Sequence, residues 1–268
     1  MKPQRWTAVA AAAAAFFGLT LTAGAAPASA QEAAPAYVAL GDSYSSGVGA
    51  GDYDPDSGDC KRSANAYPQL WSAANAPSSF DFVACSGATT DDVLSGQLDA
   101  LSDATGVVSI SIGGNDVGFA DTMTTCALNG EAACLERVAE ARAYVTDTLP
   151  ARLDGVYDAI KAKAPSAKVV VLGYPRFYQL EGSCNAGLSE ASRAAINSAA
   201  DDLSTVTQDR ATSHGFSYGD LRPAFTGHEI CSSDWWLHSV SVPDVGQSYH
   251  PTEEGQSGGY YTVMEGLV

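Results

Sequence analysis

A short apolar run, Tyr37-Val38-Ala39-Leu40, leads straight into Gly41-Asp42-Ser43. A buried strand has no need of a serine on a glycine hinge, but a serine nucleophile needs such a mount. Gly41 lets the chain turn sharply at little steric cost. If a helix begins at Ser43, its free N–H groups and positive dipole end favour a developing oxyanion. The same position suits a helix N-cap, and this segment alone does not choose between the two roles. It is not the G-x-S-x-G elbow of another hydrolase fold.

Other segments add to the constellation. "SIGGNDVGF" sets Asn115 after a Gly-Gly turn, where its amide can donate to an oxyanion. "CSGATTDDV" offers the bare backbone N–H of Gly87 for the same purpose. Asn and Gly are ordinary turn residues singly, yet three such strand ends together are hard to explain as turns. A general base is supplied by His250 in "GQSYHPTEEGQ", with Pro251 able to open a final helix and Thr252–Glu254 in its first turn. His214, His228 and His238 lack such a setting and read as surface or structural residues. A serine, a histidine and two oxyanion donors are the equipment of acyl transfer through a covalent intermediate.

These residues need a scaffold that brings them to one edge. Strands are expected at Tyr37–Leu40, Phe82–Ala84, Val107–Ile112, Lys168–Leu172 and Phe216–Tyr218, and helices at Ala64–Ala74, Cys134–Ala164 and Ser189–His214. Alternating strands and long helices imply a parallel sheet covered on both faces. Active sites in such sheets gather at the carboxyl ends of the strands. The first three strands deliver Ser43, Gly87 and Asn115 to that edge.

Composition bounds the function. Lys2 and Arg5, the apolar run Ala8–Thr22 and the Ala28-Ser29-Ala30 cleavage signature describe a signal peptide over 1–30. The remaining 31–268 forms one domain with ample material for a core. The net charge is −17 over all 268 residues and −19 without Lys2 and Arg5. Such a surface repels phosphate backbones, so no nucleic-acid partner is expected. No later segment is apolar enough to span a bilayer, which excludes stable membrane insertion. Cys60, Cys85, Cys126, Cys134, Cys184 and Cys231 read as three disulfides in an exported chain. Sequential pairing, 60–85, 126–134 and 184–231, closes the shortest loops. The acidic "GDYDPDSGDC" stretch has the start of a calcium loop, but its glycine comes late and Ser63 stands where a twelfth-position acid belongs. It reads as a solvated loop, and no metal or cofactor is expected.

"GDSYSSG", "SGATT", "GGND" and "YHP" run in the order of the signature blocks of the SGNH, or GDSL-type, hydrolases. They span Gly41 to Pro251, nearly the whole mature chain. The cysteine layout and "EICSSDWWLHSV" resemble the secreted bacterial lipase and phospholipase A1 subgroup. The resemblance implies an α/β/α sandwich around a five-stranded parallel sheet of flavodoxin-like order. It implies Ser43 as nucleophile, His250 as base, and an oxyanion hole of Ser43 N–H, Gly87 N–H and the Asn115 side chain. One position departs. The family places Asp three residues before the histidine, and here Gln247 stands there. Asp244 could reach His250 only if the loop folded back. A Ser–His dyad oriented by a backbone carbonyl, that of Ser248 before Gln247, is the expectation.

The expected activity is hydrolysis of lipid esters, a phospholipid sn-1 acyl or an acylglycerol, by a secreted monomer. Trp235-Trp236 suit a lipid site or a core equally. An esterase for acylated carbohydrates or small soluble esters is the enzymatic alternative. A non-catalytic glycan- or lipid-binding protein is the other.

Overall fold

The computed structural model describes residues 34–181 and 187–268, together with 1, 3, 4 and 6–10. The 28–30 cleavage signature and most of the apolar run before it lie outside the described residues, as does Cys184. No described helix is long and apolar enough to cross a membrane.

Five strands form one parallel sheet: β1 (Ala36–Ala39), β2 (Phe80–Phe82), β3 (Thr105–Ile110), β4 (Lys168–Leu172) and β5 (Ser217–Gly219), in the order β2-β1-β3-β4-β5. That is the flavodoxin-like order, whose switch point falls between β1 and β3. The central strands are largely apolar and buried, as strands covered on both faces should be, with Thr105 and Ser109 of β3 as buried polar exceptions. The sequence-derived strands are recovered with shifts. The second and third begin two residues earlier than their apolar runs suggest, and the fifth one residue later.

The helices are α1 (Ser43–Ser46), α2 (Tyr67–Asn75), α3 (Thr90–Asp92), α4 (Phe119–Leu128), α5 (Gly130–Asp147), α6 (Leu149–Lys163), α7 (Glu190–Ser213) and α8 (Thr262–Glu265). Helix α2 packs with the wide-turned segment Gly255–Tyr261 and with α8, whereas α4 to α7 pack among themselves. The result is a three-layer α/β/α sandwich. The long helix expected over 134–164 is two helices. Pro150 lacks an N–H and its ring clashes with the carbonyl four residues back, so the chain leaves helical geometry at Thr148. Helix α4 has no counterpart in the sequence reading, because "FADTMTTCAL" is rich in threonine, a weak helix former. The C-terminal helical segment starts after Pro251, which pairs in a bridge with Leu237 instead. Thr252 caps that start, its Oγ1 accepting from Gly255 N at 3.2 Å.

Disulfides join Cys60 to Cys85 and Cys126 to Cys134. The second staples α4 to α5 across the turn at Asn129-Gly130. Cys231 is also disulfide-bonded.

Candidate active site

The site begins where β1 ends. Gly41 has φ +122°, and a Cβ there would lie 2.5 Å from the Ser111 carbonyl oxygen. Only glycine permits both the conformation and the close approach. Its peptide is held at both ends by one buried side chain: Gly41 N donates to Gln97 Oε1 (2.7 Å), and Gln97 Nε2 donates to Gly41 O (2.9 Å).

Asp42, not Ser43, is the N-cap of α1, accepting from Tyr44 N at 3.0 Å. The capping role that competed with catalysis for Ser43 is therefore filled by its neighbour. Asp42 Oδ1 also accepts from Ser111 Oγ (2.9 Å), and Asp42 Oδ2 accepts from the Tyr174 hydroxyl. Burial pushes the Asp42 pKa up to about 6, against these donors, which favour the charged form.

Three loops are cross-tied at this sheet edge. The Tyr174 hydroxyl, besides donating to Asp42, accepts from Gly114 N at 3.2 Å. Asn115 Nδ2 donates to Ala88 O at 2.9 Å. Asp116 accepts from Thr90 N (3.1 Å) and Thr90 Oγ1 (2.5 Å). Gly87, at φ +81°, stands exposed on the wall of the same cavity as Ser43 and Asn115.

The histidine arrives on a loop that pairs antiparallel with residues 236–238. His238 N donates to His250 O (2.9 Å), and Tyr249 N donates to His238 O (2.8 Å). Tyr249 has φ +66°, a strained conformation for a residue with a Cβ. The Tyr44 hydroxyl clamps it from α1, donating to Tyr249 O at 2.5 Å. His250 Nε2 then lies 2.8 Å from Ser43 Oγ. His250 Nδ1 lies 3.0 Å from Ser248 O, and a carbonyl can only accept, so Nδ1 carries the proton and Nε2 is the free base. The ring is partly open to the cavity, and packing around it still lowers its pKa to about 4. It is neutral, as a base must be.

Asp244 is occupied elsewhere. It caps the turn Val245–Gln247, accepting from Gly246 N (3.2 Å) and from Gln247 Nε2 (2.7 Å). Gln247 thus holds the acid rather than the histidine.

The other histidines sit apart from Ser43. His214 Nδ1 bonds Arg210 O (2.7 Å), and His228 stacks on Trp236 at 3.6 Å between centroids. His238 Nε2 bonds Gly49 O at 2.8 Å, steadying the chain behind the site. The tryptophan pair divides: Trp236 packs against Phe225, while Trp235 is half exposed. In the acidic loop, Asp54 accepts from Asp56 N at 2.9 Å to cap a turn. Among the described residues no three metal-ligating side chains gather.

Ser43 and His250 line a cavity of 560 Å³. Its walls come from α4, α5, α7 and the segment after β4, and include Phe119, Met123, Ala141, Phe177, Ala200 and Leu203. The sequence reading missed Tyr174, Gln97 and Ser111. Tyr174 follows β4 at the same carboxyl edge, so the strand-end rule could have found it. Gln97 carries no local signal, because its partner is 56 residues away.

Residues 39–257 match the model of the GDSL-like lipase/acylhydrolase family. The chain is 63% identical to Lipase 1 of Streptomyces coelicolor over 257 residues, 93% of this chain and 96% of that protein. The crystal structure of a phospholipase A1 from Streptomyces albidoflavus is 63% identical with a TM-score of 0.87, covering 88% of this chain and all of that one. That of an extracellular lipase from Streptomyces rimosus is 62% identical with a TM-score of 0.86, at the same coverages.

Proposed function

Because the chain belongs to the GDSL-like lipase/acylhydrolase family, we propose that it is an exported serine hydrolase of lipid esters. The carrying observation is the Ser43–His250 pair, 2.8 Å apart, lining a 560 Å³ cavity with apolar walls. A polar glycan would leave its hydroxyls unpaired against such walls, whereas an acyl chain loses nothing there. The similar proteins described as lipases and a phospholipase A1 support the same substrate class.

In the proposed mechanism Ser43 Oγ attacks the ester carbonyl as its proton passes to His250 Nε2. The Ser248 carbonyl holds Nδ1–H and keeps the lone pair on Nε2 facing the serine. A carbonyl carries only a partial charge, so it stabilises the imidazolium less than a carboxylate would. The tetrahedral oxyanion is met by Ser43 N–H, Gly87 N–H and the Asn115 amide, which has a second hydrogen beyond the one given to Ala88 O. His250 returns the proton to the leaving alcohol. Water then attacks the acyl-enzyme by the same route, releasing the fatty acid and regenerating Ser43. No step calls on a metal.

Export rests on the 1–30 leader and on the extracellular description of the Streptomyces rimosus lipase. N-terminal sequencing of the secreted protein is expected to begin at Gln31.

The test compares phosphatidylcholine, a triacylglycerol and a sugar acetate, each with the intact enzyme and with Ser43→Ala. Fatty-acid release is expected from lipid, reduced by ~10⁴-fold or more in the variant. Acetate release alone would move the protein to the carbohydrate esterases. Undiminished activity of Ser43→Ala would overturn the mechanism.

A further inference from the structure

Resting on the lipid-ester hydrolysis proposed above, we infer that the rim of the cavity is a docking face for the surface of a neutral or zwitterionic lipid aggregate. Two segments contribute exposed residues to the cavity lining. One is the C-terminal end of α4, and the other is the loop 239–248 that leads to His250. They expose large apolar side chains where solvent-facing loops normally carry polar ones: Leu128 is 76% exposed, Val240 46%, Val242 81% and Val245 65%. Leu128, Val240 and Val245 also line the cavity together with Ser43 and His250. The exposed apolar surface is therefore continuous with the path an acyl chain would take.

Scattered exposed valines are ordinary on protein surfaces. Here three share one loop, and two of them line the cavity together with a leucine from the other segment. A lipid molecule leaving a bilayer or micelle would pass from one apolar medium to another without crossing water.

Charge selects the kind of surface. Asp121 and Asp244 are the only charged side chains of α4 and the loop 239–248, and both are acidic. Asp244 is engaged by Gln247 and Gly246. Lys61 approaches the loop at Gly246 and Arg137 the start of α4 at Gly118, but two cations are not the Lys/Arg cluster that draws a protein to an anionic leaflet, and a net charge of −17 opposes such a surface. Phosphatidylcholine offers the apolar gain without that repulsion.

The test uses the full mature protein carrying Ser43→Ala, so that vesicles stay intact, and measures co-sedimentation. Val242 is the probe, because it is the most exposed of the four and does not line the cavity. Burying one valine side chain corresponds to roughly tenfold in partitioning. Val242→Ser is expected to weaken binding to phosphatidylcholine vesicles by about three- to tenfold, and Val242→Trp to tighten it. In the Ser43 enzyme, both variants are expected to hydrolyse a soluble short-chain ester at the unaltered rate. Phosphatidylglycerol vesicles are expected to bind more weakly than phosphatidylcholine at low salt.

Equal partitioning of both Val242 variants and the parent would overturn the docking face, as would tighter binding to phosphatidylglycerol. A change in self-association instead, seen by sedimentation velocity, would assign the face to a second copy of the chain and overturn it. Failure of the lipid-ester proposal is read separately, as no fatty acid from detergent-dispersed phosphatidylcholine by the Ser43 enzyme.

Discussion

The polar wall of the cleft, at the carboxyl ends of β1 and β3, and the apolar wall, on α4, α5 and α7, are held by different forces. On the polar wall nearly every group has a named partner: Gly41 with Gln97, Asp42 with Ser111 and Tyr174, Asn115 with Ala88. Each such bond adds only about 1 kcal/mol net, but a buried group left without its partner costs more. The wall is stiff because it has few acceptable geometries. The apolar wall is held by non-directional packing and by the Cys126–Cys134 staple, and such surfaces tolerate changes that keep volume and patterning. On the proposed mechanism, one wall sets where atoms react and the other which acyl chains fit.

The contrast can be broken from the polar side first. Asn115→Ala is expected to lower kcat by about 10²–10³-fold for acetate and long-chain esters alike, since an oxyanion donor serves every substrate. A fully active variant would remove Asn115 from the site. On the apolar side, Ala199→Phe projects a ring into the cavity lined by Ala199. It is expected to cut kcat/KM for a palmitoyl ester by roughly 10–100-fold while an acetate ester is turned over nearly as before. Equal losses on both substrates would show that the walls do not divide the labour.

A smaller effect concerns the base. As the proposed base, His250 would act only when neutral, and burial depresses its pKa to about 4. The folded protein therefore keeps its base as pH falls from 7, and activity is lost only on passing through about 4. At pH 5.5 an ordinary imidazole with pKa ~6.5 would be about nine-tenths protonated, so the expected rate is about tenfold above that of an enzyme using one. The acid limb of kcat/KM checks this, and a midpoint near 6.5 would contradict it. The smallest effect is expected from Asp244→Asn, below about threefold in kcat, because its carboxylate is spent on Gly246 and Gln247. A loss of ~10³-fold, nearer the scale of a triad acid, would restore a carboxylate to the histidine.

The two walls were also unequally legible. The polar wall is built from short segments whose chemistry is local: a strand end, a glycine, then a serine or asparagine. Ser43, Gly87 and Asn115 each read singly as a cap or turn and became candidates together, because parallel strands must bring their ends to one edge. The Ser248 carbonyl was legible by default, once Gln247 stood where an acid was expected. Helix α4 was invisible, because its threonines favour no helix and its place depends on packing against α5 and on the disulfide. The α5–α6 break was written in Pro150 but was outweighed by an apolar periodicity that runs through it.

The sequence by itself indicated the strand-and-helix alternation and the candidate groups at the strand ends, since each depends on residue type and near spacing, and its shortest-loop pairing agrees with Cys60–Cys85 and Cys126–Cys134. Only the tertiary structure decided that Gln97 and Tyr174 lock the strand ends, and that three helices line a cavity. Those outcomes join residues tens to more than a hundred positions apart. Their partners are chosen by which groups the folded chain buries together, and no local pattern encodes that choice.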